Sequence, residues 1–174
     1  RYHWNNVWQT KMLLDRVKTD HFVFSSTSAA FDPVSVYART KVSAEHEIRA
    51  SKTAHTIFRF FNVSGSGGYR QLGEATHLIR VIAEVVAGKR PLLEIYGDNY
   101  DTPDGTAIRD YIHVLDIVAA IEHAVNVGPQ NTAYECLGTS TGSSVLEVLR
   151  AFESVIGRDI PHVYKDRRDG DAEK

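Results

Sequence analysis

The chain has 174 residues, enough to bury a core as one compact domain. It is 43% hydrophobic and 24% charged with a formal net charge of -2, which excludes a strongly basic nucleic-acid face and an acidic disordered chain. Its apolar runs are too short to cross a bilayer, and its eight histidines show no repeating ligand spacing, so neither membrane nor metal is expected.

Strand and helix signals alternate along the sequence. Residues 21–25, 56–60, 92–96 and 132–137 are short apolar runs of strand length, rich in aromatic or β-branched residues. Between the first two lies the helical segment Val36–Ala50. A second helix is predicted by the stripe Leu78, Ile79, Ile82, Val85 and Val86, with Thr76 as N-cap and Gly88 as stop. A third carries Ile117, Val118, Ile121, Ala124 and Val125 on one face, with Asp116 near its start and Gly128 after its end. A fourth opens on Ser144, which with Glu147 makes a capping box, and closes at Gly157. These apolar stripes are core faces, and His113 is expected to be a hydrogen-bonded structural histidine. The pattern predicts an α/β domain with a largely parallel sheet. The loops 64–68 and 98–105 follow strand ends, where open α/β sheets place their ligands. Cys136 is the one cysteine, so no internal disulfide can form and a reducing compartment is expected.

Tyr37 and Lys41 carry the clearest chemical signal. Their i, i+4 spacing puts both side chains on one helix face. A free tyrosine has a pKa of about 10, too high for a base at neutral pH. A nearby ammonium favours the phenolate, which can then take a proton from a hydroxyl. The same spacing also arises by chance on surface helices. Upstream, residues 21–24 run into Ser25, Ser26, Thr27 and Ser28, hydroxyls at a strand's C-terminal end that can bond a substrate oxygen or cap their own turn.

With these features in place, the chain resembles the UDP-glucose 4-epimerases, extended members of the short-chain dehydrogenase/reductase superfamily. The resemblance rests on the hydroxyl cluster, the Tyr37–Lys41 pair, Arg59-Phe60-Phe61-Asn62 and the stretch from Tyr96 to Thr106 that contains Asp101-Thr102-Pro103-Asp104-Gly105. It continues through Arg109-Asp110-Tyr111-Ile112-His113-Val114 and Arg167-Arg168-Asp169-Gly170-Asp171. It implies a Rossmann-like parallel sheet flanked by helices, partial in this sequence, with a smaller C-terminal substrate-binding region. Residues 1–62 would be the later part of an NAD-binding domain. Residues 63–174 would mainly bind the UDP-sugar, with about 106–135 returning to the first domain. The implied reaction is NAD-dependent 4-epimerisation of UDP-galactose to UDP-glucose through a 4-keto sugar, in a cytoplasmic homodimer joined through the Val36–Ala50 helix.

The roles that come with the resemblance fall on named residues. Tyr37 is the base, and Lys41 binds the nicotinamide ribose and lowers the tyrosine pKa. Thr27 assists at the same sugar oxygen, with Ser26 as the alternative. Ser25 and Phe60 line the nicotinamide side. Asn6 lies near the cofactor or, on the local reading, caps a helix. For the UDP-sugar, Asn62 bonds the phosphate or sugar, His77 and Leu78 offer helix N-terminal amides, and Tyr96 stacks on the uracil. Arg109 and Arg168 pair the diphosphate, and Asp171 accepts from the ribose. Without that context Arg109 reads as a salt bridge to Asp110 or Asp116, and Arg168 as a solvated charge.

The sequence departs from the family pattern in two places. It has no Gly-x-x-Gly-x-x-Gly loop to cradle a dinucleotide pyrophosphate, so an N-terminal segment beyond Arg1 is expected to supply one. The connection from Thr27 to Tyr37 and the segment 10–22 are both shorter than the pattern, with the join at Phe31-Asp32. Other sequence-compatible readings are another nucleotide-sugar enzyme of the superfamily, such as a pentose or uronate 4-epimerase or a dehydratase, and a non-catalytic UDP-sugar-binding fragment. The residues Ser28 and Ala29 after Thr27 argue against a dehydratase, which wants an acidic pair there.

Overall fold

The structure is a computed structural model and describes residues 1–69 and 71–168. A π-helical turn, Trp4–Trp8, runs into α1, Gln9–Arg16, and is followed by β1, Phe22–Thr27. A 3-10 turn, Ser28–Ala30, leads to α2, Val36–Ala50. Next come β2, His55–Phe60, β3, Asn62–Ser64, α3, Leu78–Val86, β4, Leu93–Tyr96, and β5, Ile108–His113. The chain then forms α4, Val114–Val127, β6, Glu135–Leu137, β7, Gly142–Ser144, α5, Val145–Ile156, and β8, His162–Lys165.

The residues form two compact units. The first joins Arg1–Val63 to Ile112–Gly138. Its sheet has the order β1-β2-β6, and both pairings are parallel. Central β2 is buried from His55 through Arg59, as a strand covered on both faces must be. Helix α2 packs on β1 and β2, and its Ala38, Ala44 and Ile48 are buried, as are Ile57 and Phe58 of β2. The parallel register sets Thr27 opposite Phe60, so the C-terminal ends of β1 and β2 finish level.

The second unit holds residues from Ser64 to Tyr111 and those from Thr139 on. Here β4 and β8 pair in parallel, and β5 pairs with β7 in antiparallel fashion. Its core is Ile82 and Val85 of α3, Leu93 and Ile95 of β4, Leu149 of α5, and Ile160. Leu149 is almost fully buried, so Leu149→Ala is expected to cost about 2–5 kcal/mol, read as a fall in the urea midpoint.

Several local expectations need correction. Only the last three residues of 132–137 form a strand, and as an edge it leaves Cys136 exposed. The cap of α3 is His77 rather than Thr76, without a side-chain hydrogen bond. His113 caps α4, its Nδ1 accepting from the Leu115 amide at 3.2 Å. The Ser144–Glu147 capping box is present, and Gly157 ends α5 in the left-handed conformation.

Candidate functional site

In the first unit, Tyr37 and Lys41 rise one turn apart from α2, whose N-terminus is set by Ser35 accepting from the Ala38 amide. Tyr37 is about one-third exposed, and its ring meets that of Tyr2 edge-on, with centroids 5.7 Å apart. Burial pushes the Tyr37 pKa up, and a side-chain hydrogen bond from Thr27 offsets part of that rise. Lys41 Nζ donates to the Ser25 carbonyl at 2.8 Å and lies 4.7 Å from the centre of the Phe24 ring. Burial pushes the Lys41 pKa down, against the pull of the Glu45 carboxylate. Lys41 therefore faces the end of β1.

The hydroxyls at the end of β1 separate by the alternation of a strand. Ser25 is exposed, Thr27 is half-buried beside the Tyr37 phenol, and Ser26 points inward. Ser26 is buried and donates to Glu45 Oε1 at 2.5 Å, so it is not the substrate-facing alternative to Thr27. Asn6 sits inside the π-helical turn and caps nothing. Its amide nitrogen donates to Thr40 Oγ1 at 3.0 Å, and Thr40 in turn donates to the Tyr37 carbonyl at 2.9 Å. Phe60 lies opposite Thr27 in register, and Asn62 opens the next strand, exposed.

Sequence reasoning missed Glu45 and gave Arg59 no role. Glu45 is fully buried and takes Arg59 Nε and Nη2 at 2.9 and 2.7 Å. The Arg59 guanidinium lies over Tyr134 at 3.8 Å and Phe31 at 4.8 Å. The available signal was an acid four residues beyond Lys41, on the inward stripe of α2, together with an arginine in a strand otherwise buried.

In the second unit, Tyr96 ends β4, and its phenol donates to Glu94 Oε2 at 2.7 Å. The Arg168 guanidinium lies 3.6 Å from the centre of the Tyr96 ring. One face of Tyr96 is thus covered by a cation. Beside them, at the ends of parallel β4 and β8, an open polar groove is lined by Gly97, Asp98, Asn99, Lys165, Asp166 and Arg167. Gly97 has φ +88°, and a Cβ there would strike the Tyr100 ring, so glycine is required. Leu78 is the first residue of α3, with its side chain packed on the core, and His77 beside it is exposed. Arg109 Nη1 donates to the Ile108 carbonyl at 2.7 Å. Asp110 is engaged by the amides of Thr139 and Ser140, each at 2.9 Å. Asp171 lies outside the described residues.

Among the described residues no cluster of three or more His, Cys, Asp or Glu is arranged to hold a metal ion. Nor is any described helix long and apolar enough to cross a membrane.

Comparison with known proteins gives this geometry a context. The UDP-glucose 4-epimerase of Azospirillum brasilense is 38% identical over 199 residues, covering 98% of this chain and 57% of that protein. That match is longer than the 174 residues here, so the relative carries internal residues that this chain lacks. The UDP-glucose 4-epimerase from Bifidobacterium longum, solved with NAD+ and UDP, superposes with a TM-score of 0.86 at 29% identity, covering 98% of this chain and 59% of that one. The enzyme from Brucella ovis, solved with NAD, gives 0.80 at 36%, covering 99% and 61%. The chain thus spans somewhat more than half the length of these relatives. The NAD dependent epimerase/dehydratase profile matches residues 5–136, and the chain belongs to that family.

Proposed function

We propose that the protein carrying this chain catalyses NAD-dependent 4-epimerisation of a UDP-hexose, interconverting UDP-galactose and UDP-glucose through a 4-keto sugar. The observation that carries this reading is the Thr27–Tyr37–Lys41 group at the end of a parallel sheet, in a chain 38% identical to a UDP-glucose 4-epimerase. Tyr37 takes and returns the proton of the sugar C4 hydroxyl. Thr27 bonds the same oxygen and stabilises the phenolate. Ser25, Lys41 and Phe60 fit the nicotinamide riboside end of the cofactor, with a cation and hydroxyls at the strand ends. The pyrophosphate end does not fit these residues, because this 174-residue sequence has no Gly-x-x-Gly-x-x-Gly loop. NAD supplies the hydride acceptor and donor when bound. Tyr96, Arg109, Arg168, Asp171 and the amides of His77 and Leu78 hold the nucleotide, and Asn62 bonds the phosphate or sugar.

The deciding experiment incubates full-length protein with UDP-galactose and follows UDP-glucose; no conversion with native NAD content overturns the reading. Arg168→Ala is expected to weaken UDP binding by about 1.5–3 kcal/mol, roughly 10- to 150-fold in Kd, by calorimetry. A homodimer through α2 is part of the same reading, supported by exposed Trp8 and Leu13 on the neighbouring helical segment, and a monomer mass by light scattering contradicts it. The exposed free thiol of Cys136 supports a cytoplasmic location.

A further inference from the structure

Three consecutive residues at the end of β1 engage three residues spaced one turn apart on α2. The Ser25 carbonyl accepts from Lys41, the Thr27 hydroxyl bonds Tyr37, and the Ser26 hydroxyl donates to Glu45. Tyr37, Lys41 and Glu45 stand at i, i+4 and i+8, so this stripe runs about 12 Å along the helix. The Glu45 contact is the most heavily built. Its carboxylate also takes Arg59 of β2 through two hydrogen bonds and Arg49 Nη1 at 3.3 Å. Arg49 Nη1 donates in turn to the Ala133 carbonyl at 2.8 Å, just before β6. Glu45 therefore joins α2 to β1 and β2, and through Arg49 the helix also reaches the segment just before β6. Phe31 and Tyr134 cover the Arg59 guanidinium.

We propose that Glu45 is a positioning residue for the Tyr37–Lys41 pair, fixing the rotation and height of α2 against β1 so that Tyr37 meets Thr27. A helix held at one end only can turn or slide, and one residue of slip moves a side chain about 1.5 Å and 100°. A misplacement of about 1 Å at a reacting group lowers a rate by roughly 100-fold. The buried ion pair is directional in a way that apolar packing of Ala44 and Ile48 is not, and it grips the residue between Ser25 and Thr27. This inference rests on the epimerase reading for its effect on rate, but not for its effect on the Tyr37 phenol.

The test uses the full-length protein and two readouts, turnover of UDP-galactose and titration of Tyr37 by its phenolate absorbance, with Tyr37→Phe as the blank. Glu45→Met/Arg59→Met removes one charge of each sign, so net charge is unchanged, and replacing a buried pair by apolar groups of similar size often keeps stability. Tyr37 is faced by Tyr2 and Thr27, and neither is altered. The double variant is expected to melt near the wild type yet lose at least about 10-fold in kcat, with KM within about 2-fold. Its Tyr37 titration should move to higher pH, because burial then acts without the Thr27 bond. Unchanged kcat and an unchanged titration in a folded double variant overturn the proposal. If that variant does not fold, Glu45→Gln is compared with Ile48→Val, a core change on the same helix, and an equal effect of the two on the Tyr37 titration overturns it instead. Absence of turnover in the wild type sinks the epimerase reading alone, and the titration still decides the role of Glu45.

Discussion

Tyr37→Phe in the full-length protein is expected to lower interconversion of UDP-galactose and UDP-glucose by about 100- to 10,000-fold, the range for a positioned proton-transfer group. The change removes one hydroxyl and keeps the ring, so the edge-on contact with Tyr2 and the packing of α2 persist. UDP affinity, measured by calorimetry, should therefore stay within about 2-fold, because a change in an interaction made only in the transition state leaves binding alone. Loss of UDP binding would instead mark Tyr37 as structural. Burial raises the Tyr37 pKa and the Thr27 bond lowers it, with a net rise. Activity that needs the phenolate therefore falls as pH drops through that raised value. Thr27→Ala removes the one downward influence from β1 and should move this acid limb to higher pH, whereas Thr27→Ser keeps the hydroxyl and should leave it in place.

The α/β character was legible because long elements with strong periodicity announce themselves. The apolar stripe of α3 and the capping box of α5 are purely local patterns, and both helices form where those patterns lie. The short strands β7 and β8 are not picked out by such a pattern. Gly142–Ser144 is short and polar and His162–Lys165 is exposed along its length, and their partners in space make them strands. Cys136 illustrates the same limit: β2 next to it is buried, but β6 is an edge. The proximity of Thr27, Tyr37 and Lys41 was legible from a helical repeat following a strand end. The inward turn of Ser26 follows from strand alternation once one neighbour's direction is known, and the sequence gives that direction to neither. Glu45 was hidden for a different reason. An acid on a helix reads as solvated unless its partners are known, and Ser26 and Arg59 stand 19 and 14 residues away in sequence.

Glu45→Ala is expected to destabilise the protein by about 3–5 kcal/mol, the effect of breaking a buried ion pair from one side. The side chains of Glu45 and Arg59 are 0% and 8% exposed, so the guanidinium left behind has no ready access to water. Ser26, also buried, loses its acceptor. Tyr134 and Phe31 continue to face the cation, but an aromatic face replaces only a part of what a bidentate carboxylate gives. The pair between Lys11 of α1 and Glu47 of α2 provides the contrast: both partners are largely exposed, and Glu47→Ala should change the urea midpoint little. The pH dependence separates the two further. Burial pushes the Glu45 carboxyl up, but hydrogen bonds from Arg59 and Ser26 and the Arg59 charge outweigh it and hold the pKa below its ordinary value. The stability from Glu45 is therefore full above the unfolded-state pKa of about 4.3 and disappears as pH falls through the lower folded-state value. Urea melts at stepped pH should show wild type losing stability across that acid window, while Glu45→Ala, already lacking the contribution, loses less there. A variant that falls in parallel with wild type would mean that other carboxylates, such as Asp104 and Asp110, carry the acid sensitivity.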